Sequence, residues 1–327
     1  MKKSITPREN RLLDAREQIV AKVFGEQPKL YNHAVLCALG LPYRKPPEDT
    51  RMFQRTSGQA SLLLEAGMVP VRETQHDTVW KPVGLPYGPK SRLLLLHLCS
   101  QSIKAQSPLI EVEDSFTAFA SSIGIDTNGR NLKTLREQIL RMSVVSMRLS
   151  KTYGDVVDVF QGHLFSKFQA HTPVDDKQLQ LWTSYVEFSP EFYSSLEHNA
   201  VPLCESAIKA LQHSARALDI YTWLAHRLHR ISPKKPVSIR WTSLRQQFGN
   251  RDQSIKSFKR AFTTALNQVL CVYPNARVES IYGGILLRQS APPISKKSHQ
   301  VIAPSRSKQK PKTEIEQSYD GFVWKNV

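Results

Sequence analysis

The sequence predicts an α+β protein, mostly α, in which one plan of elements occurs twice. Three observations predict this. Apolar residues at helical spacing mark two amphipathic stretches, Leu132, Leu135, Ile139, Met142, Val145 and Ile255, Phe258, Phe262, Leu266, Val269. Each follows a short helix closed by a glycine and precedes a pair of short alternating segments around a glycine. The 45 Lys+Arg against 28 Asp+Glu, a net charge of +17, are also unevenly spread. A chain of 327 residues is long enough for two domains with flanking segments. The reading divides it into an N-terminal helix and irregular, flexible segment (1–80), a first domain (81–200), a second domain (201–290) and a disordered basic tail (291–327).

Taken in order, Pro7–Phe24 reads as a helix through Leu12, Leu13, Ile19, Val20 and Val23, stopped by Gly25. Residues 26–90 read as irregular because Pro28, Pro42, Pro46, Pro47, Pro70, Pro82, Pro86 and Pro89 punctuate short apolar pieces. One such piece, Ser61–Ala66, fits either a helix or a strand. Lys90–Gln106 is a helix opened by a proline. Pro108–Val112 is a short strand. Ser115 caps a short helix to Ser122 that Gly124 ends. Past the Asn128–Gly129 turn comes the helix Arg130–Ser150. Val156–Phe160 and Leu164–Phe168 then form a hairpin around Gly162, and Trp182–Phe188 alternates again before a helix opened by Ser189 and Pro190.

The second pass repeats the order. Glu205–His213 and Ala215–Ile231 are helices and Val237–Trp241 a strand. Thr242 caps a short helix through Phe248, ended by Gly249, and the helix Asp252–Val272 follows. Val278–Tyr282 and Ile285–Leu287 form a hairpin around Gly283 and Gly284. Helix, strand, helix, turn, helix, hairpin is the plan of a winged helix, so the chain reads as two tandem winged-helix domains. The tail is rich in Pro, Ser, Lys and Gln, with a short contact element expected at Phe322-Val323-Trp324.

The charge points to the partner. Residues 1–200 hold 24 basic and 21 acidic residues, a balance of +3, whereas residues 201–290 hold 14 and 4, a balance of +10. A basic field gathered in one domain is what phosphate neutralisation requires. The longest apolar run, Leu93–Leu98, is core length, so no membrane span is expected, and no apolar run follows the N-terminal Met-Lys-Lys as a secretory signal would need. Cys37, Cys99, Cys204 and Cys271 form no C-x-x-C pair and read as buried reduced thiols of a cytoplasmic protein.

Candidate contacts follow from placement. The stripe of the helix Asp252–Val272 leaves Lys256, Lys259, Arg260 and Thr263 opposite, with Asn250, Arg251, Gln253 and Ser254 at its start. In a helix-turn-helix such N-terminal residues meet base edges. Arg, Asn and Gln read bases through paired hydrogen bonds, while Lys and Ser hold phosphates. The competing reading is a solvated face on a core helix; the cap, the glycine turn, the hairpin and the local charge together favour DNA. Arg277, Tyr282 and Arg288 are the contacts if the hairpin is a wing, and a hairpin that merely closes the core is the equal alternative. Arg130, Lys133, Arg136, Arg141 and Arg148 offer phosphate contacts in the first copy, among the acidic Glu111, Glu113, Asp114, Asp126 and Glu137; a protein-interaction role is equally open. His226 and His229 share a helix face, yet no Cys or carboxylate at ligand spacing accompanies them, so half-buried histidines are the expectation and no metal or other cofactor is expected. There is no phosphate-binding G-x-x-x-x-G-K-[ST] loop and no nucleophile-elbow signature. Tyr221, Trp223 and Trp241 read as core rather than as a base-stacking platform.

Four stretches carry a family resemblance: Leu85-Pro86-Tyr87-Gly88-Pro89-Lys90-Ser91-Arg92-Leu93-Leu94-Leu95; Val201-Pro202 with Ala217-Leu218-Asp219-Ile220-Tyr221-Thr222-Trp223-Leu224-Ala225-His226-Arg227-Leu228; Trp241-Thr242-Ser243-Leu244 with Gln247-Phe248-Gly249 and Phe258-Lys259-Arg260-Ala261-Phe262; and Val272-Tyr273-Pro274-Asn275-Ala276 with Gly283-Gly284-Ile285 and Ser290-Ala291-Pro292-Pro293. In this order, over about residues 80–295, they resemble the plasmid-encoded RepA replication initiators of Gram-negative bacteria. The resemblance implies tandem winged helices, a C-terminal domain that reads repeated origin sites (iterons), and an N-terminal domain that contacts DNA backbone or dimerises. It also implies melting of an A·T-rich stretch, recruitment of the host initiator and helicase, and a homodimer in equilibrium with monomer. A non-enzymatic initiator that also represses its own gene is therefore expected. The alternatives are a winged-helix repressor without initiator role, and a rolling-circle nicking enzyme, which often uses an H-x-H metal pair that this chain lacks.

Overall fold

The computed structural model describes residues 6–21, 28–72, 77–168, 185–250 and 253–294. In chain order its elements are α1 (Pro7–Ala21), β1 (Lys29–His33), α2 (Ala34–Ala38), β2 (Met52–Ser57), β3 (Ala60–Glu65), β4 (Met68–Arg72), β5 (Thr78–Pro82), α3 (Gly88–Ala105), β6 (Leu109–Glu111), α4 (Phe116–Ser122) and α5 (Gly129–Val144). They continue as β7 (Ser146–Tyr153), β8 (Val156–His163), β9 (Phe165–Phe168), β10 (Tyr185–Phe188), α6 (Pro190–Asn199), β11 (Ala200–Cys204), α7 (Glu205–Leu211), α8 (Ala215–Arg227), β12 (Val237–Arg240), α9 (Trp241–Phe248), α10 (Ile255–Val272), β13 (Val278–Ile281) and β14 (Gly284–Leu287). This is the α+β class expected, with more residues in helices than in strands. The last three residues expected in the first helix, the start of the segment expected from Trp182, and the tail from residue 295, with Phe322-Val323-Trp324, lie outside the described residues.

The second pass of elements forms a three-stranded antiparallel sheet in the order β12-β14-β13, with Val237 opposite Leu287 and Val278 opposite Leu287. The strand before α9 thus pairs with the far strand of the hairpin. Gly283 turns that hairpin at φ +90, and a Cβ on Gly284 would lie 2.0 Å from the Ile239 carbonyl oxygen, so both positions need glycine. The first pass differs: β6 pairs with β10 rather than with the hairpin that follows α5, giving the order β6-β10-β9.

Four expectations are corrected. Residues 26–90 are not irregular throughout: strands and a short helix occupy much of the described part, and 39–51 stays irregular. β1 pairs antiparallel with β11, and β2 and β3 extend the β7–β8 hairpin into a four-stranded sheet, β2-β3-β7-β8. Pro28 and Pro89 mark the starts of β1 and α3, and Pro70 and Pro82 sit in the isolated β4–β5 hairpin (Pro70 opposite Trp80, Pro82 opposite Met68), where no further ladder needs their missing N–H; Pro42, Pro46, Pro47 and Pro86 do lie in irregular chain. The helix expected to reach Ser150 ends at Val144, because Val145, Met147 and Leu149 bury at period two against Leu62 and Leu64 of β3. The hairpin expected around Gly162 turns at Gly154 (φ +59), with Tyr153 opposite Val156. α9 begins two residues earlier than a Thr242 cap would place it, at Trp241, with Arg240 at its N-cap and no side-chain cap, so Thr242 lies inside the helix.

One hydrophobic core runs from Leu12 to Ile294, across both passes. A buried polar knot lies within it. Arg92 of α3 donates from Nε to Asp219 Oδ1 at 2.6 Å and from Nη2 to Oδ2 at 2.8 Å. Its remaining N–H groups reach the carbonyls of Leu41 (2.6 Å), Pro42 (3.2 Å) and Gly88 (2.7 Å). All five guanidinium donors are thereby satisfied, the condition under which a buried ion pair is tolerable. A Cβ on Gly40 would meet Asp219 Oδ2 at 1.7 Å, so glycine there lets the N-terminal chain close over the pair. Removing one partner strands the other charge: Arg92→Ala or Asp219→Ala should each cost about 3–5 kcal/mol. In urea denaturation the double variant should lose less than the two single losses added together; strict additivity would contradict the coupling.

Candidate nucleic-acid interface

α10 is built to present cations. Phe258, Phe262, Ala265, Leu266 and Val269 bury one stripe. Beneath it Trp241, Phe248, Phe258 and Phe262 pack edge-on or tilted at centroid distances of 5.5–6.5 Å, and Trp223 meets Phe248 at 5.1 Å. Tyr221, Trp223 and Trp241 are buried, as read, and offer no stacking platform. On the opposite face Lys256, Lys259, Arg260 and Thr263 are exposed. The Lys259 ammonium stands 5.6 Å from the Trp241 ring centroid, so the ring's π-face steadies the charge without neutralising it.

The helix starts later than expected. Ser254 is its N-cap, its hydroxyl accepting from Ser257 N at 3.3 Å. Asn250 and Gln253 belong to the turn before the helix, where Gln253 N donates to the Asn250 carbonyl at 3.1 Å; both are half-buried. Arg251 and Asp252 lie outside the described residues.

The β13–β14 hairpin stands beside α10. Tyr282 at its tip is fully exposed, and a cleft of about 410 Å³ opens between it, Arg240, Trp241, Ile255 and Lys259. Arg277 is exposed at the hairpin base. Arg288 is exposed too, but its Nε donates to Glu279 Oε1 at 2.8 Å, so its charge is partly spent within the hairpin.

The basic residues of the first pass scatter by role. Arg130 and Lys133 are exposed at the start of α5. Arg136 lies 4.7 Å from the Phe116 ring centroid. Arg141 is buried, bonded to the Leu85 carbonyl (2.9 Å) and Glu137 (2.7 Å), and fixes the Leu85–Gly88 loop. Arg148 sits on β7, paired with Glu65 at 2.8 Å. Of these five, Arg130, Lys133 and Arg136 are exposed like the cations of α10, Arg136 over an aromatic ring as Lys259 is.

His226 is buried against the Arg230 guanidinium, and His229 bonds back to the Ala225 carbonyl at 3.1 Å. Among the described residues no three His, Cys, Asp or Glu side chains come together as metal ligands do, and no helix is long and apolar enough to cross a membrane. Cys37, Cys99 and Cys204 are buried and Cys271 is half-buried, and no two of them form a disulfide. Sequence reasoning passed over Arg44 and Arg216. The first sat in a stretch read as irregular and the second on a helix read as core; the cluster they form becomes visible only once α8 and α10 converge.

Fold and surface define a class: a mixed α/β protein that holds out a cationic helix beside an exposed hairpin, as nucleic-acid-binding proteins do. The comparisons narrow it. Residues 85–242 match the family described as plasmid encoded RepA protein, so the resemblance read in the sequence is shown over that segment. No curated protein matches the chain. Two solved structures of domains 2 and 3 of RctB align loosely. One is 10% identical with a TM-score of 0.46, covering 78% of this chain and 98% of that chain. The other is 11% identical with a TM-score of 0.43, covering 77% and 94%.

Two buried histidines set a pH dependence. His33 caps α2 through Nδ1 and meets Ser195 Oγ at 3.0 Å; burial, then Lys151, pushes its pKa down to about 4. Burial, then Arg230 and Lys151, brings His226 down to about 3. Both stay neutral in the folded chain at pH values where the unfolded chain takes up protons, so their contribution is whole above about pH 6.5 and falls away as the pH drops toward 4. The urea midpoint should therefore fall between pH 6.5 and 5, above the usual carboxylate range; a flat midpoint there would contradict the burial of these imidazoles.

Proposed function

We propose that this chain is a replication initiator that binds repeated duplex sites at a plasmid origin through α10. The carrying observation is the α10 face itself. Lys256, Lys259 and Arg260 are exposed on a helix whose other side is locked into an aromatic core, next to a hairpin with an exposed tip. The match to plasmid-encoded RepA proteins supports the origin as the target.

In this reading α8, α9, α10 and the β12-β14-β13 sheet make a winged helix. α10 enters the major groove, with Asn250, Arg251, Gln253 and Ser254 toward base edges and Lys256, Lys259 and Arg260 on phosphates. Tyr282, Arg277 and Arg288 lie along the backbone or minor groove. Arg130 and Lys133 make backbone contacts from the first winged helix. The protein is not an enzyme: contacts to several repeats, with bending, offset the cost of opening adjacent A·T-rich DNA. It recruits the host initiator and helicase, exchanges between dimer and monomer, and represses its own gene from the same sites. No cofactor is required.

A plasmid carrying the gene and its flanking repeats should replicate and should stop when the gene is disrupted. Covalent protein–DNA product in a supercoiled-plasmid nicking assay with a divalent metal would overturn the reading in favour of a nicking enzyme. Arg251→Ala should weaken binding to repeat DNA more than to scrambled DNA. Lys259→Ala should weaken both and flatten the salt dependence by about 1 in slope. Equal losses for the two variants on both DNAs, in an anisotropy salt titration, would contradict these assignments.

A further inference from the structure

A cavity of about 810 Å³ opens where the loop after α2, the start of α8 and the start of α10 converge. Arg44, Arg216 and Arg260 line it, with Tyr43, Gln253 and Ser257, and no described lining residue is acidic. Its polar groups are incompletely used. Arg216 donates from Nη2 to Gln253 Oε1 at 3.3 Å, while its Nε is buried with no hydrogen-bond partner among the described residues. The Tyr43 hydroxyl is buried and equally unpartnered. The guanidinium carbons of Arg55, Arg92 and Arg216 all lie within 5.3 Å of the Tyr43 ring centroid. Among the described residues only Arg92 of these three has a carboxylate partner, Asp219; Arg55 spends one donor on the Gly249 carbonyl at 3.0 Å and leaves Nη1 without a hydrogen-bond partner. A cationic trough with no carboxylate among its described lining residues, and with unpartnered donors buried at and behind its wall, calls for an anion with several acceptor oxygens.

The position of the trough says which anion. Ser257 and Arg260 of α10, with Gln253 in the turn before it, face it from one side, whereas Ile255 and Lys259 face the cleft beneath Tyr282 on the other. α10 thus stands between two hollows, and a helix seated in the major groove has a sugar-phosphate strand passing on each side. The trough is far roomier than one phosphate group, as a channel that a strand crosses must be. We propose that it holds a backbone phosphate of the duplex bound by α10, gripped by Arg44, Arg216 and Arg260. The N-terminal chain, through Tyr43 and Arg44, is then part of the DNA contact. This rests on the reading of α10 as the DNA-facing helix.

The test uses the full chain, with repeat and scrambled duplexes titrated by anisotropy over a range of salt. Arg44 is exposed, so Arg44→Ala should leave the fold intact. It should weaken binding to both duplexes and reduce the salt slope by about 0.9, the value of one phosphate contact. Arg44→Lys should restore most of that slope. Phosphate-ethylation interference should lose one position on one strand in Arg44→Ala and none in Lys259→Ala. Unchanged affinity and slope in both Arg44→Ala and Arg44→Glu, while Lys259→Ala still weakens binding, would overturn the phosphate site and leave the α10 reading standing. Thermal stabilisation by inorganic pyrophosphate that Arg44→Ala abolishes, with the DNA slope unchanged, would assign the trough to a free anion and also overturn it. A wild-type chain that binds neither duplex would overturn the α10 reading, and this inference with it.

Discussion

The buried pair of Arg92 and Asp219 is the constraint on which the arrangement turns. Two desolvated charges persist in a core only when every donor and acceptor is used. Here the guanidinium reaches the carboxylate and three carbonyls at once. Despite burial, Asp219 and its hydrogen bonds hold the Arg92 pKa above its ordinary value. Together these bonds tie three parts of the chain. Leu41 and Pro42 belong to the N-terminal stretch, Gly88 to the start of α3, and Asp219 to α8. The knot therefore sets where Tyr43 and Arg44 stand relative to α8, and α8 carries α10 against its side.

A second consequence is rigidity beneath the proposed DNA surface. α10 rests on packed aromatic rings, and α1 packs along α7 and α10. Arg55 and Gln247 add hydrogen bonds from β2 to Gly249 (3.0 Å) and from α9 to Ala38 (2.7 Å). The cations on the outer face thus project from a fixed base. Fewer degrees of freedom are lost when a duplex is gripped from such a base, so more of the contact energy is left to deform the DNA.

Much of this was legible in the sequence because helix periodicity and glycine punctuation are local signals. The stripe of Ile255, Phe258, Phe262, Leu266 and Val269 placed α10, and Gly283 with Gly284 placed the last hairpin. The N-terminal stretch was misread because its strands find partners far away: β1 on β11 and β3 on β7. The prolines scattered between them look like coil until those partners are known. The end of α5 was misread because Val145, Met147 and Leu149 continue an apolar run whose period changes from helix to strand only against β3. The cations of α10 could be named from spacing alone. Arg44 and Arg216 could not, since their role depends on residues more than 150 positions apart meeting at one cavity. The motif residues Arg92 and Asp219 could be quoted as a resemblance, but their pairing is a fact of the fold.

The central claim is that the α10 face grips repeated duplex sites. Hydroxyl-radical footprinting of the full chain on the DNA flanking its gene tests it most directly. The account predicts protection that recurs once per repeat on one side of the duplex and vanishes in the Lys256→Ala/Lys259→Ala/Arg260→Ala variant at unchanged thermal stability. Protection that survives in that variant, or none with the wild-type chain, would contradict it.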